Sequence, residues 1–239
     1  MGGDALMAAS ARGLFRATGK KSKPVVVRDL ITGEYSRSDE GLERKANDFY
    51  PTPCEPTRAG LAIEDRRLRD FPIIWEPACG DGAMVREMEA IGHKVAPSDL
   101  IERGCTGAVV KDFYSFGAAD VPSKAIFTNP PFDQCGWGNG RARWLYHALE
   151  TLGIEYMALL LPWSFPGAGG LAAFWEKYPP ARIHLMRWKI DFTGQGAPPN
   201  LNAWFVWDRI VPPGDPTLHM LDRIDARQGK LFDAPGDGL

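Results

Sequence analysis

Four short apolar stretches each deliver a residue able to act on a small molecule: Glu76 after residues 71–75, Asp99 after 94–96, Asp112 after 108–110 and Asn129 after 125–127. Asn129 opens the most specific of these, Asn129-Pro130-Pro131-Phe132. The two prolines remove two backbone donors and stiffen the turn, so the Asn129 carboxamide and the Pro130 carbonyl can both accept hydrogen bonds at fixed positions. A planar amine donating both hydrogens to such a pair would have its lone pair directed out of the ring plane, toward an electrophile, while Phe132 stacks on the ring. No strong base is required. The nitrogen can attack first and lose its proton afterwards, the barrier being lowered by orientation and by electrostatic support of the developing cation. A rigid turn with no chemistry would use the same residue types, and the other three stretches weigh against it.

Stretch 71–82, FPIIWEPACGDG, reads as a buried strand ending in Glu76 and opening into a turn where Gly80 and Gly82 let the backbone approach a ligand before a helix begins. Asp99 stands about twenty residues beyond that turn, where an acid at a strand end can accept hydrogen bonds from ribose hydroxyls, although Asp after a strand also caps helices. Asp112 with Phe113 and Asn129 repeat the arrangement, and four polar groups delivered by strand ends define one convergent cleft.

The elements that position these groups follow from patterning. Strands are expected over 71–75, 94–96, 108–110, 125–127, 156–161, 183–186 and 203–207, and helices over 83–91, 141–152 and 171–178. Residues 48–58, DFYPTPCEPTR, carry three prolines and read as an extended loop presenting Phe49, Tyr50 and Thr52, with Thr57 capping the helix that follows toward Arg66, Arg67 and Arg69. Glycines 136, 138 and 140 form a lip around Trp137, and 191–202 forms a second Gly/Pro-rich loop. A strand is expected over 24–30, a short helix over 8–16 and a basic cluster over 20–23. The 239 residues divide into an arm, 1–46, a central domain, 47–211, and an extension from Pro212, 212–239, which is peripheral apart from a short helix or strand around 218–224.

Composition bounds the function. The chain can bury a substantial core, and its 44% hydrophobic content is that of a globular protein. Formal charge is −2, so any contact with a polyanion must be concentrated locally. Cys54, Cys79, Cys105 and Cys135 form no CxxC pair, and with no His pair at ligand spacing they imply neither a metal site nor a disulfide framework. With no membrane-spanning stretch and no signal peptide, a soluble cytoplasmic protein is expected.

Together these residues resemble the class I S-adenosylmethionine-dependent methyltransferases, and among them the enzymes that modify adenine at N6, particularly the small phage and prophage DNA adenine methyltransferases. The resemblance runs from about Asp48 to Asp208. It implies an α/β, Rossmann-like fold: a seven-stranded, mostly parallel sheet of order 3-2-1-4-5-7-6 with helices on both faces and an antiparallel last strand. DFYPTP is similar to the segment that closes over the cofactor, which puts Tyr50, Pro51 and Thr52 near its methionine part. EPACGDG resembles the cofactor loop, with Glu76, Pro77, Ala78, Cys79, Gly80 and Gly82 beside the methionine and sugar. Asp99 and Leu100 match the ribose-binding acid and its apolar neighbour, and Asp112 and Phe113 the pair that holds the adenine ring. TNPPF matches the catalytic step, in which Asn129 and Pro130 orient the amine at the cofactor, Pro131 stiffens the turn and Phe132 stacks on the base. AWFVWD at 203–208 is similar to the last strand of the phage-type members.

The implied partner is DNA, in a phage-encoded or restriction-modification setting, with the chain a monomer or homodimer. Two departures stand out. There is little room for a separate target-recognition domain, so base selectivity would fall to residues 133–141, the loops around Trp163 and Gly194, or the arm with Arg12, Arg16, Lys20, Lys21 and Lys23. The overall charge is also slightly negative, so phosphate contacts would have to be concentrated, at Arg141, Arg143, Arg187 and Lys189, and stacking on a flipped base would fall to Trp137, Trp163 or Phe165. Related turns serve RNA adenine or guanine and protein glutamine, and an inactive nucleic-acid-binding module of the same fold is the non-enzymatic alternative.

Overall fold

The two central parallel strands are apolar along most of their length because both of their faces are covered. Residues 125–128 (AIFT) and 156–162 (YMALLLP) are buried almost throughout, as strands sandwiched between two helical layers require. A computed structural model describes residues 26–28, 35–37, 51–136, 142–167, 170–192 and 200–223. Two units are separable, Met1–Asp48 and Phe49–Leu239. Within the first, β1 (Val26–Arg28) pairs antiparallel with β2 (Tyr35–Arg37). The helix over 8–16 and the basic cluster over 20–23 lie outside the described residues.

The second unit runs α1 (Cys54–Leu68), β3 (Ile74–Glu76), α2 (Ala83–Ala90), β4 (Val95–Asp99), β5 (Val109–Val110), a 3-10 turn (Phe113–Ser115), β6 (Ala125–Thr128) and α3 (Phe132–Cys135). It continues with α4 (Arg143–Tyr146), whose end widens into a π-helical turn (His147–Thr151), then β7 (Tyr156–Pro162), α5 (Ala172–Lys177), β8 (Arg182–Met186), β9 (Asn202–Asp208) and β10 (Thr217–Leu221). The sheet order is β10-β8-β9-β7-β6-β3-β4-β5. β9 alone is antiparallel to its neighbours, β7 and β8. The seven strands expected are present in the expected order, and β10 extends them by pairing in parallel with β8. The segment after Pro212 therefore contributes to the sheet. Its edge position and largely exposed side chains explain why its five residues carry little strand signal.

Alternation along the strands divides the core. Ile126, Met157, Leu159, Phe205 and Trp207 pack on one face with Trp144, Leu145, Ala148 and Phe174. Phe127, Ala158, Leu160, Trp204 and Val206 pack on the other with Ala59, Leu61 and Leu68 of α1 and Met84 and Met88 of α2. Helix α1 begins at Cys54, not after Thr57. Pro53 occupies its cap and Pro56 its first turn, where a missing N–H loses no intrahelical bond. Thr57 is thus an interior, fully buried residue rather than the cap. The helix seats closely on the sheet at Gly60, where a Cβ would lie 2.6 Å from Trp204 Nε1. Trp204 in turn donates to the Pro56 carbonyl at 2.8 Å and stacks on Phe127 with ring centroids 4.2 Å apart.

Candidate functional site

The order in which strands are added reverses between the parallel neighbours β3 and β6: they run outward from β3 through β4 to β5, then resume on its other side at β6. Such a switch point opens a crevice at the carboxyl ends of the strands. Glu76 ends β3 on one side of it, and Asn129 follows β6 on the other.

The β3 end is built around a buried acid. Glu76 is 1% exposed, and its Oε1 accepts a hydrogen bond from Thr128 Oγ1 at 2.6 Å, while Oε2 is buried without a partner among the described residues. Burial pushes this carboxyl up to about 8 despite the Thr128 hydroxyl and the Ala78 backbone, with Asp99's charge adding to the rise. Between the ordinary value near 4.5 and about 8, the folded chain keeps a proton that the unfolded chain has released, so stability falls as pH rises through that window. Glu76→Gln, which keeps an acceptor for Thr128 but no titrating proton, is expected to stabilise the protein by on the order of 2–3 kcal/mol at pH 7. Urea unfolding as a function of pH measures this; the wild-type slope between these limits should flatten in the variant.

The loop after Glu76 turns on two glycines in the left-handed region, Gly80 (φ 55°) and Gly82 (φ 80°). A Cβ at Gly82 would also meet Cys105 Sγ at 2.9 Å. Asp99 ties the loop to β4: its Oδ2 accepts from the Gly80 N–H at 2.8 Å and its Oδ1 from the Ile101 N–H at 3.1 Å. Cys79 N–H donates to the Ser98 carbonyl at 3.0 Å. Pro77 and Cys79 are buried, Ala78 is half-buried, and burial raises the Cys79 thiol far above its ordinary range, so it is not a reactive nucleophile. Leu100, beside Asp99, is 59% exposed and offers apolar surface at the cleft edge.

Asp112 is exposed, and its Oδ1 accepts from the Tyr114 N–H at 3.0 Å, capping the 3-10 turn. Phe113 is buried and stacks on Trp144 with centroids 4.2 Å apart. From that turn, Tyr114 OH donates to Gln134 Oε1 at 3.1 Å, linking the end of β5 to α3.

At the β6 end, Asn129 Nδ2 donates to Thr52 Oγ1 at 3.0 Å, and Oδ1 is buried with no partner among the described residues. The sequence accounts for that unpaired oxygen. An Asn side chain commonly accepts from the backbone N–H two residues on, and here that residue is Pro131, which has none. Pro130 is buried, Pro131 exposed and Phe132 half-buried at the start of α3. Glu76, Thr128, Asn129 and Thr52 therefore form one connected edge across the switch point. Thr128 is the member the strand-end pattern did not single out; its signal was its position, immediately before Asn129 in a strand next to β3.

Other expected groups are placed differently. Phe165 is 0% exposed and packs edge-on against Trp175 and Phe205, so it is a core residue and offers no stacking surface; Trp163, 38% exposed after β7, remains. Arg187 follows β8 and pairs with Asp222 at 3.2 Å, Arg143 lies 3.9 Å over the Tyr114 ring, and Lys189 is exposed. Arg67 and Arg69 are engaged by Asp208 and Asp65 rather than forming a free basic patch. Tyr50, Trp137, Arg141 and the loop around Gly194 lie outside the described residues. Among the described residues no group of His, Cys, Asp and Glu could hold a metal ion, and no helix is long and apolar enough to cross a membrane.

No family model matches the chain, and no curated protein sequence does either. Solved structures do. A candidate class I S-adenosylmethionine-dependent methyltransferase from Listeria monocytogenes superposes with a TM-score of 0.53 at 14% identity, over 71% of this chain and 65% of that one. The modification subunit of a candidate type I restriction enzyme from Vibrio vulnificus gives 0.51 at 13% identity, over 74% of this chain and 48% of that subunit. A candidate RNA methyltransferase from Pyrococcus horikoshii gives 0.51 at 15% identity, over 69% and 89%. The matched region thus spans less than two thirds of the first two proteins. The chain has the class I methyltransferase fold, an α/β Rossmann-like arrangement with a central mixed sheet flanked by helices.

Proposed function

We propose that this chain transfers a methyl group from S-adenosylmethionine to the N6 amine of adenine in DNA. The observation that carries the reading is Asn129 Oδ1, an unpartnered buried acceptor at the switch point, followed by two prolines and an aromatic ring. A buried polar atom without a partner costs about 1–3 kcal/mol, and such groups persist where a ligand uses them. An exocyclic amine is the complementary donor: Asn129 Oδ1 and the Pro130 carbonyl accept its two N–H bonds, and Phe132 stacks on the ring.

The residues fit the cofactor. The unpaired Glu76 Oε2 suits an ammonium group, whose positive charge would favour release of the proton that Glu76 otherwise keeps, and Asp99, whose oxygens each accept one backbone N–H, has lone pairs left for ribose hydroxyls. Gly80 and Gly82 allow close approach of the loop; Leu100, Asp112 and Phe113 would take the adenine ring, and Pro51, Thr52, Pro77, Ala78 and Cys79, with Tyr50 from the sequence resemblance, would complete the set. When bound, S-adenosylmethionine would supply an electrophilic methyl group, its S–CH3 bond breaking as the N–C bond forms and leaving a neutral thioether. Asn129 and Pro130 hold the amine lone pair out of the ring plane and stabilise the positive charge that develops on nitrogen, which afterwards releases one of its two protons to solvent.

Incubation with methyl-labelled cofactor and DNA, RNA or whole-cell protein tests the reading. Label recovered as N6-methyladenine in DNA is expected. Label confined to RNA, the substrate class named for the Pyrococcus protein, or to glutamine in protein would replace the substrate assignment, and cofactor binding without transfer to any of the three would identify an inactive binding module.

A further inference from the structure

We infer that Thr52 is the positioning residue that holds the Asn129 carboxamide in place for the substrate amine. The inference rests on the reading of Asn129 given above. A carboxamide has an acceptor end and a donor end that exchange by a half-turn, and only the acceptor end can hold an amine hydrogen. Flipped, Nδ2 would meet the substrate's N–H bonds donor to donor. The local backbone does not hold the side chain, because the Pro130 and Pro131 nitrogens have no hydrogen to donate to Oδ1. That hold falls to the partner on the far side, Thr52 Oγ1, which accepts from Nδ2 at 3.0 Å while Oδ1 is left for the amine.

Thr52 is well suited to hold that partner in place. Its residue is 8% exposed, and it stands between Pro51 and Pro53, whose fixed φ angles limit its backbone. The next residue, Cys54, begins α1, and α1 is seated by the Trp204 Nε1 hydrogen bond to the Pro56 carbonyl and by the close approach at Gly60. Trp204 stacks on Phe127, two residues before Asn129 on β6. The start of α1 and the end of β6 are thus located against the same indole, so the hydroxyl and the carboxamide are held in register by packing as well as by their shared hydrogen bond. The neighbouring Thr128 spends its own hydroxyl on Glu76 and does not compete for Asn129.

Two readouts on the full chain test this. In the first, the side-chain amide protons of Asn129, assigned by their loss in Asn129→Ala, are followed by NMR without cofactor. Thr52→Val and Thr52→Ala should shift these resonances and speed their exchange with solvent, and Thr52→Ser should leave both near wild type. In the second, single-turnover transfer to the DNA substrate at saturating cofactor should fall on the order of 10- to 100-fold in Thr52→Val and Thr52→Ala and recover in Thr52→Ser. Wild-type transfer rates in both hydroxyl-free variants would overturn the inference. So would a Thr52→Ser enzyme as slow as Thr52→Val, which would assign the effect to methyl packing instead. The parent reading fails separately: it is lost if Asn129→Ala transfers normally, whereas an inactive Asn129→Ala beside a fully active Thr52→Val removes only the role given to Thr52.

Discussion

Asn129→Ala is expected to lower the rate of methyl transfer by on the order of 10²–10³-fold or more while leaving the cofactor dissociation constant nearly unchanged. The side chain supplies one of the two acceptors that orient the amine, and it is the one whose geometry depends on no backbone group. Its removal should also leave the fold intact. The mutation gives up one hydrogen bond to Thr52, worth about 0.5–1.5 kcal/mol, and relieves an unpaired buried oxygen that costs about 1–3 kcal/mol. The balance is neutral to stabilising. A residue kept only to shape a turn would behave in the opposite way, with a lower melting temperature and unaltered single-turnover transfer. Calorimetric cofactor binding, thermal unfolding and transfer measured on the same preparation therefore separate the two roles, and normal transfer by the alanine variant would reject the mechanism.

The sequence shows the carboxyl edge of the sheet more clearly than any other part of the molecule, for a physical reason. Each strand there is a short apolar run terminated by a polar or glycine-rich turn, so Glu76, Asp99, Asp112 and Asn129 are marked by contrast with what precedes them. Parallel strands buried on both faces carry no period, and their order comes from resemblance, not from patterning. The start of α1 was obscured by the prolines that suit its first turn, since Pro53 and Pro56 argue against a helix interior but not against a helix beginning. Phe165 lies in a loop, where an aromatic reads as exposed until the neighbours that bury it, Trp175 and Phe205, are known.

What no local pattern reveals is the opposite edge of the sheet, where the partners of α1 lie 92 to 141 residues away. There Glu64 of α1 meets the starts of β7 and β8. Its Oε1 accepts from Arg182 Nε at 2.8 Å and His184 Nε2 at 2.6 Å, and its Oε2 accepts from Arg182 Nη2 at 2.7 Å and Tyr156 OH at 3.0 Å. Arg182 continues to Asp208 at 3.1 Å, and Asp208 accepts from Arg67 at 3.0 Å, back on α1. Helix α1, about 22 Å long at 1.5 Å per residue, is therefore pinned at its far end by charge and at its near end by the seat against Trp204 that locates Thr52.

Glu64→Ala is expected to cost on the order of 3–5 kcal/mol of folding stability, because it leaves the Arg182 guanidinium with one carboxylate instead of two and strips Tyr156 and His184 of their acceptor. The loss should shrink in a chain that also carries Arg182→Met, since the uncompensated cation is then gone; equal losses in both backgrounds would show that the pair is not coupled. Acid unfolding gives an independent check. Burial pushes the Glu64 carboxyl up, but the hydrogen bonds and charges of His184 and Arg182 outweigh it and hold the group down at about 2. A carboxyl depressed in the folded state contributes stability that is fully present above its ordinary value near 4.5 and is lost as pH falls toward 2. Wild-type stability should therefore decline across that window, and Glu64→Ala, already lacking the contribution, should decline less steeply. Parallel declines in the two proteins would place the acid sensitivity elsewhere and remove Glu64 as the anchor of α1.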